Sequence, residues 1–314
     1  MRGQPQSGSG TNKLQRTGRH FAAVAAVAAI AMLAACATPA ERFARRASQL
    51  GFTPLVLQGD GFEHRAFASP AGQAAGTPRV SLPAPLSASL SASLHASLPA
   101  SLHASLHVYI EHDGTPWAGF DRVADDPTPR TPYALELMAR DAGPRLLLGR
   151  PCYFQAQASP PCGPLVWTHG RYSPQVVASM VAALRGYLAA HPFRHVVLVG
   201  YSGGGTLAWL MAAHLPEATA LVTIAANLDV AGWARLHGYS PLAGSLDPAA
   251  LPPLRPAITE RHYVGGRDAN VPPSVVRSFA RRHPRASVIE IAAFDHVCCW
   301  LERWPELLDP ASAQ

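Results

Sequence analysis

Short apolar runs recur along the chain at Leu106–Glu111, Arg145–Gly149, Val196–Val199, Ala220–Ala226, Arg261–Val264 and Ser287–Ile291. Runs of this length, rich in β-branched and aliphatic residues, read as strands covered on both faces. Between them lie stretches whose apolar positions follow the helical period: 131–142, 174–190, 206–215 and 272–283, with a last helix beginning near His296. Ser173 precedes Pro174 as an N-cap before a proline at the first helical position. Strands alternating with helices predict right-handed βαβ units, and so an α/β fold with a mostly parallel sheet and helices on both faces. Upstream, Thr53–Gln58 and Phe62–Ala68 alternate apolar and polar positions across Gly59-Asp60-Gly61. That is a hairpin signal, and it predicts an antiparallel N-terminal edge to the sheet. Residues 39–50 form a short amphipathic helix pattern.

Two stretches break the alternation. From about residue 70 to 105 the chain repeats Ser-Leu-x-Ala, most clearly between Ser89 and Ser105. A four-residue period drifts around a helix, so the leucines cannot hold one face, and Pro83, Pro85 and Pro99 interrupt it further. The stretch reads as a tandem expansion within a surface loop, where added length costs little. The second is the N-terminus. Residues 13–20 are polar and basic, and Phe21–Ala35 is an apolar run too short to span a bilayer well. This is the arrangement of a secretory signal, and its end, Leu33-Ala34-Ala35-Cys36, resembles a bacterial lipobox. The resemblance implies cleavage after residue 35, acylation of Cys36 and anchorage to a membrane by several acyl chains. Ala37 follows the cysteine, so the same resemblance implies the outer membrane, facing the periplasm.

The signal segment also explains the charge. It carries Arg2, Lys13, Arg16 and Arg19 and no acid; removing these four from 26 basic residues leaves 22 against 20 acidic ones. The mature chain is therefore nearly neutral, which gives no case for a nucleic-acid partner. Four cysteines remain after Cys36: Cys152, Cys162, Cys298 and Cys299. An even count in an exported chain suggests disulfides. Three pairings exist; Cys152 with Cys162 closes a short Pro-rich loop, whereas a bridge between the neighbours Cys298 and Cys299 is strained. No Cys/His spacing suggests a zinc site.

The chemistry centres on Gly200-Tyr201-Ser202-Gly203-Gly204, between the strand at Val196–Val199 and the helical stretch after it. Strand, sharp turn and helix with a serine at the apex form the nucleophile-elbow pattern. A serine hydroxyl is a weak nucleophile at neutral pH and needs a base, which needs an orienting carboxylate in turn. Of 14 histidines, His296 follows the last strand, in Phe294-Asp295-His296. Asp268 lies in Gly265-Gly266-Arg267-Asp268 after the penultimate strand, with Asp229 as the rival. Together these motifs resemble the α/β-hydrolase superfamily over most of residues 50–305, with its chain order Ser, Asp, His. The resemblance implies Ser202, His296 and Asp268 as a catalytic triad. It also implies an oxyanion hole from the Gly203 N–H and a second N–H near Asp113 or Gly114, with His169-Gly170 as the rival dipeptide. It implies no cofactor, and a lipid-anchored serine esterase acting on a small-molecule ester. Amide or thioester hydrolysis, or a non-catalytic module retaining the fold, are the alternatives. In this reading residues 1–35 are the signal, 36–50 the linker and 51–308 the hydrolase domain. The connection 229–256 is a lid candidate through Trp233, Leu236, Tyr239, Leu242 and Leu246. Replacement of Cys36 by Ala is expected to abolish lipidation, read as loss of palmitate incorporation by the expressed protein.

Overall fold

The structure, a computed structural model, describes residues 37–69, 105–119, 121–155 and 160–308. The signal segment, Cys36 and nearly all of the Ser-Leu-x-Ala stretch lie outside the described residues. The unit from Pro39 onward is built on one eight-stranded sheet. Its strands are β1 (Thr53–Gln58), β2 (Glu63–Ala68), β3 (Ser105–Ile110), β4 (Arg145–Leu148), β5 (His195–Tyr201), β6 (Ala218–Ile224), β7 (Thr259–Gly265) and β8 (Ser287–Ile291). Their spatial order is β1-β2-β4-β3-β5-β6-β7-β8. The β1–β2 and β2–β4 pairs are antiparallel and the other five are parallel. This is the predicted sheet with its antiparallel edge.

Alternation along the strands assigns each helix to a face. Leu106, Val108 and Ile110 of β3 point to one side, where they join α4 (Pro174–Ala190), α5 (Gly203–Ala212) and α7 (Pro273–Ala280) in one apolar cluster. Tyr109, between them, points to the other side. There it joins α1 (Pro39–Gln49), α2 (Tyr133–Ala139) and α8 (Trp300–Leu308) in a second cluster. Two shorter helices, α3 (Pro164–Trp167) and α6 (Val230–Leu236), sit in the connections. Among the described residues no helix is long and apolar enough to cross a membrane.

Several predicted helix boundaries move: the helix expected over 206–215 is Gly203–Ala212, starting directly after Ser202, and the one expected over 272–283 is Pro273–Ala280. The helix expected over 131–142 is Tyr133–Ala139. Its N-terminus is capped from a distance: the buried carboxylate of Glu111, just past β3, accepts the Leu135 N–H at 3.0 Å. The last helix begins at Trp300 rather than near His296. The Asp295 side chain accepts the N–H groups of Val297 and Cys298 at 2.8 and 2.7 Å, and this local turn keeps the chain non-helical for a few more residues. The sulfurs of Cys152 and Cys162 lie within bonding distance, with Cα atoms 5.5 Å apart, and those of Cys298 and Cys299 also meet.

One buried polar link ties the antiparallel edge to the parallel sheet. His64 of β2 is fully buried; Nδ1 is 2.8 Å from the Gly149 carbonyl and Nε2 is 2.8 Å from Ser179 Oγ on α4. The carbonyl can only accept, so Nδ1 carries the proton and Nε2 accepts from the serine hydroxyl. This arrangement uses the neutral imidazole, and burial lowers its pKa from the ordinary value of about 6.5. A depressed histidine pKa means the unfolded chain binds the extra proton. Stability is therefore expected to fall as pH drops below about 6.5, with a slope approaching ~1.4 kcal/mol per pH unit from this group. Urea denaturation between pH 7 and 5 should show a shallower pH dependence in His64→Gln than in the parent.

Candidate active site

The turn after β5 has room for no side chains except that of the serine. A Cβ on Gly200 would run into the Gly204 carbonyl, and one on Gly204 into the Ile110 carbonyl at the end of β3. Ser202 sits at the apex with φ 53° and ψ −125°, a conformation that non-glycine residues adopt at a cost of order 1–3 kcal/mol. The Ser202 N–H, bonded to the Ile224 carbonyl at 2.9 Å, ties the apex to the end of β6. The hydroxyl is left at the start of α5, above the C-terminal edge of the sheet.

Two further strands deliver its partners. His296 Nε2 is 3.1 Å from Ser202 Oγ, and His296 Nδ1 is 2.8 Å from Asp268 Oδ2. A carboxylate only accepts, so Nδ1 holds the proton and Nε2 is free to receive the one on the serine. The Asp268 side chain is fully buried, and its second oxygen accepts the Asn270 and Val271 N–H groups at 2.8 and 2.7 Å. That fixes the carboxylate before it meets the imidazole. The histidine loop is fixed too. Tyr201 donates to the His296 carbonyl at 2.9 Å, Tyr133 donates to the Val297 carbonyl, and the two rings stack with centroids 4.3 Å apart.

The rival residues are occupied elsewhere. Asp229 caps α6, its Oδ1 accepting the Gly232 N–H at 2.7 Å. Asp295 closes the turn before α8. In the His169-Gly170 dipeptide the Gly170 N–H is spent on the Leu165 carbonyl at 2.9 Å, and the His169 ring packs edge-on to Trp117. Of the candidate oxyanion donors, Gly114 spends its N–H on His112 Nδ1 at 3.1 Å. The Gly203 and Asp113 N–H groups find no acceptor among the described residues. A cleft of about 430 Å³ opens over these atoms. Its lining includes His112, Asp113 and Gly114, Ser202 and Gly203, and Trp233, Asn270 and Val297. Within the 229–256 connection, Trp233 lines the cleft, whereas Leu242 and Leu246 pack on the core and Leu236 and Tyr239 are exposed.

A charge cluster buried beside the cleft joins Asp113 to Arg150, Arg171 and Tyr172. Asp113 Oδ1 is 2.7 Å from Arg150 Nη2, Asp113 Oδ2 is 2.9 Å from Arg171 Nη1, and Tyr172 donates to the same carboxylate at 2.6 Å. Tyr153 donates to the Asp113 carbonyl at 2.9 Å. Burial alone would raise the Asp113 pKa, but attraction to Arg150 and then Arg171, with the Tyr172 hydrogen bond, holds it well below the usual carboxylate range. Arg150, 2% exposed, lies between the rings of Tyr153 and Tyr172 at 5.5 and 5.7 Å. The cluster clamps the loop after β3 against Gly203: a Cβ there would strike the Asp113 carboxylate. The available signal was an arginine directly after a buried strand, where a charge needs a partner.

Because Asp268 fixes the imidazole tautomer, Asp268→Asn is expected to slow labelling of Ser202 by a fluorophosphonate about 10³- to 10⁴-fold, with little change in melting temperature. Rate constants for probe incorporation check this.

No protein-family model matches the chain, and a search of curated proteins finds no match. Solved structures do. An esterase of Pyrococcus furiosus superposes with a TM-score of 0.50 at 12% identity, covering 83% of this chain and 91% of its own. A lidless α/β serine hydrolase of Xanthomonas campestris gives 0.46 at 13%, covering 82% and 91%. At these identities the likeness is one of fold. The strand order, the turn after β5 and the superposition on the Pyrococcus furiosus esterase agree: the chain has the α/β-hydrolase fold.

Proposed function

We propose that the protein is a serine hydrolase that cleaves carboxylic esters through an acyl-enzyme. The observation that carries this reading is the continuous chain Ser202 Oγ, His296, Asp268, with contacts of 3.1 and 2.8 Å. In that scheme Ser202 Oγ attacks the ester carbonyl while its proton passes to His296 Nε2. Asp268 balances the imidazolium that forms. The N–H groups of Gly203 and Asp113 are the donors for the tetrahedral oxyanion. The imidazolium then protonates the departing alkoxide, leaving the acyl group on Ser202. Water, deprotonated by His296, hydrolyses that acyl-enzyme and restores the serine.

The apolar character of the cleft mouth, with Trp233 and the 56% exposed Val297, supports an ester with a hydrocarbon portion. The lipobox supports export and anchorage through an acylated Cys36, three residues before α1. An exported chain meets an oxidising compartment, so the neighbouring thiols of Cys152 and Cys162 pair there as a disulfide. In a panel of p-nitrophenyl esters of increasing acyl length, Ser202→Ala is expected to lose about 10⁶-fold in kcat on the preferred substrate. Turnover near that of the parent would remove Ser202 from the mechanism. Faster cleavage of matched anilides or thioesters would move the substrate class to amides or thioesters.

A further inference from the structure

The buried cluster under the cleft is unbalanced. Arg150 and Arg171 share a single carboxylate, Asp113, and among the described residues neither guanidinium forms an ion pair with any other acid. Two positive charges against one negative leave an excess of one, in a site where Arg150 is 2% and Arg171 9% exposed. An uncompensated buried charge is costly, and the cost falls when an anion approaches.

Arg171 is the side chain through which an anion can reach that charge. Its Nε donates to the Thr168 carbonyl at 2.7 Å and its Nη1 to Asp113 at 2.9 Å. Both bonds hold the guanidinium plane still. Its Nη2 has no acceptor among the described residues and is not sealed from solvent, and Arg171 lines the cleft. The carboxylate bridging to Arg171 is the one that touches Gly203, next to the nucleophile. The free guanidinium nitrogen of Arg171 and the hydroxyl of Ser202 therefore belong to residues that line one cleft.

We infer that Arg171 is a specificity residue, and that the cleft takes esters whose acyl part ends in a carboxylate: half-esters of short dicarboxylic acids. This rests on the serine-hydrolase reading of the same cleft. One excess positive charge, and one unpaired guanidinium nitrogen that is not sealed from solvent, match a monoanionic carboxylate rather than a phosphate dianion, which would call for more donors; the unpaired nitrogens of Arg150 are buried out of reach. The chemistry is ordinary ester hydrolysis. The alkoxide leaves with the proton from His296, water supplies the second oxygen, and the free dicarboxylate is released.

The test compares mono-p-nitrophenyl succinate, glutarate and adipate with the same esters methylated on the distal carboxylate. At one chain length the wild type is expected to favour the anionic ester by about tenfold or more in kcat/KM, the worth of one charge-assisted hydrogen bond. Arg171→Met should bring that ratio close to one, and Arg171→Lys should retain part of it. Should the Met variant not fold, the wild-type ratios and the Lys variant decide. A wild type that prefers the neutral ester at every length would overturn the assignment. So would an anionic preference that survives in Arg171→Met, since Arg171 would then act only by steadying Asp113. Glutarate and inorganic phosphate titrated against Ser202→Ala, with and without Arg171→Met, separate this from the hydrolase reading. Arg171-dependent glutarate binding by a protein that turns over no ester would leave the anion site standing and remove the hydrolase. Tighter Arg171-dependent binding of inorganic phosphate would overturn the carboxylate.

Discussion

Backbone crowding at the end of β5 governs the rest of the site. The chain turns there within a few residues, against the end of β3 on one side and β6 on the other. Only glycines at 200, 203 and 204 let carbonyls and a carboxylate come so close. Their absence of side chains is what leaves Ser202 in a strained backbone conformation, with its hydroxyl projecting and the adjacent N–H uncommitted. The strain is local and the sheet pays for it, since β5 is flanked by parallel neighbours along its length. A looser turn would relax the serine and also withdraw the N–H beside it.

Two buried charge systems meet at this turn and are organised in opposite ways. The Asp268 carboxylate is satisfied by two backbone N–H groups and the imidazole, so its environment is complete without a ligand. The Asp113 system is over-supplied with cations. The first suits a group that can balance a charge taken up by its neighbouring imidazole. The second builds a steady positive potential into the floor of the cleft. Tyrosines serve both: Tyr201 and Tyr133 anchor the loop of His296 by its carbonyls, and Tyr153 and Tyr172 hold Asp113. Hydroxyls on rigid rings position backbone without adding charge.

What could be read from the residues follows from how local each signal is. The strands, the elbow and the residues Ser202, Asp268 and His296, which the structure brings into contact, stand in short motifs with fixed offsets. The boundary of α8 depended on one aspartate closing a turn, a side-chain hydrogen bond that periodicity does not register. The Gly114 N–H could not be discounted in advance, because it is consumed by a histidine ring two residues earlier. The Asp113–Arg150–Arg171 cluster joins positions far apart in the chain, from the loops after β3 and β4 and from the segment before α4. No single stretch announces it; only the sheet order, with β4 beside β3, brings the pieces together.

The same sheet order bears on the Ser-Leu-x-Ala stretch. The chain leaves the fold after β2 at Ser69, which pairs with Arg145 at the start of β4, and returns at Ser105, the first residue of β3. Exit and return are thus at one end of the sheet, separated by a single intervening strand, roughly 10 Å. Ser202, Asp268 and His296 lie past the opposite ends of their strands. A unit of four residues corresponds to twelve nucleotides, so a change by whole units keeps the reading frame. Units added or lost there leave both attachment points in place, at the end of the sheet away from Ser202, Asp268 and His296.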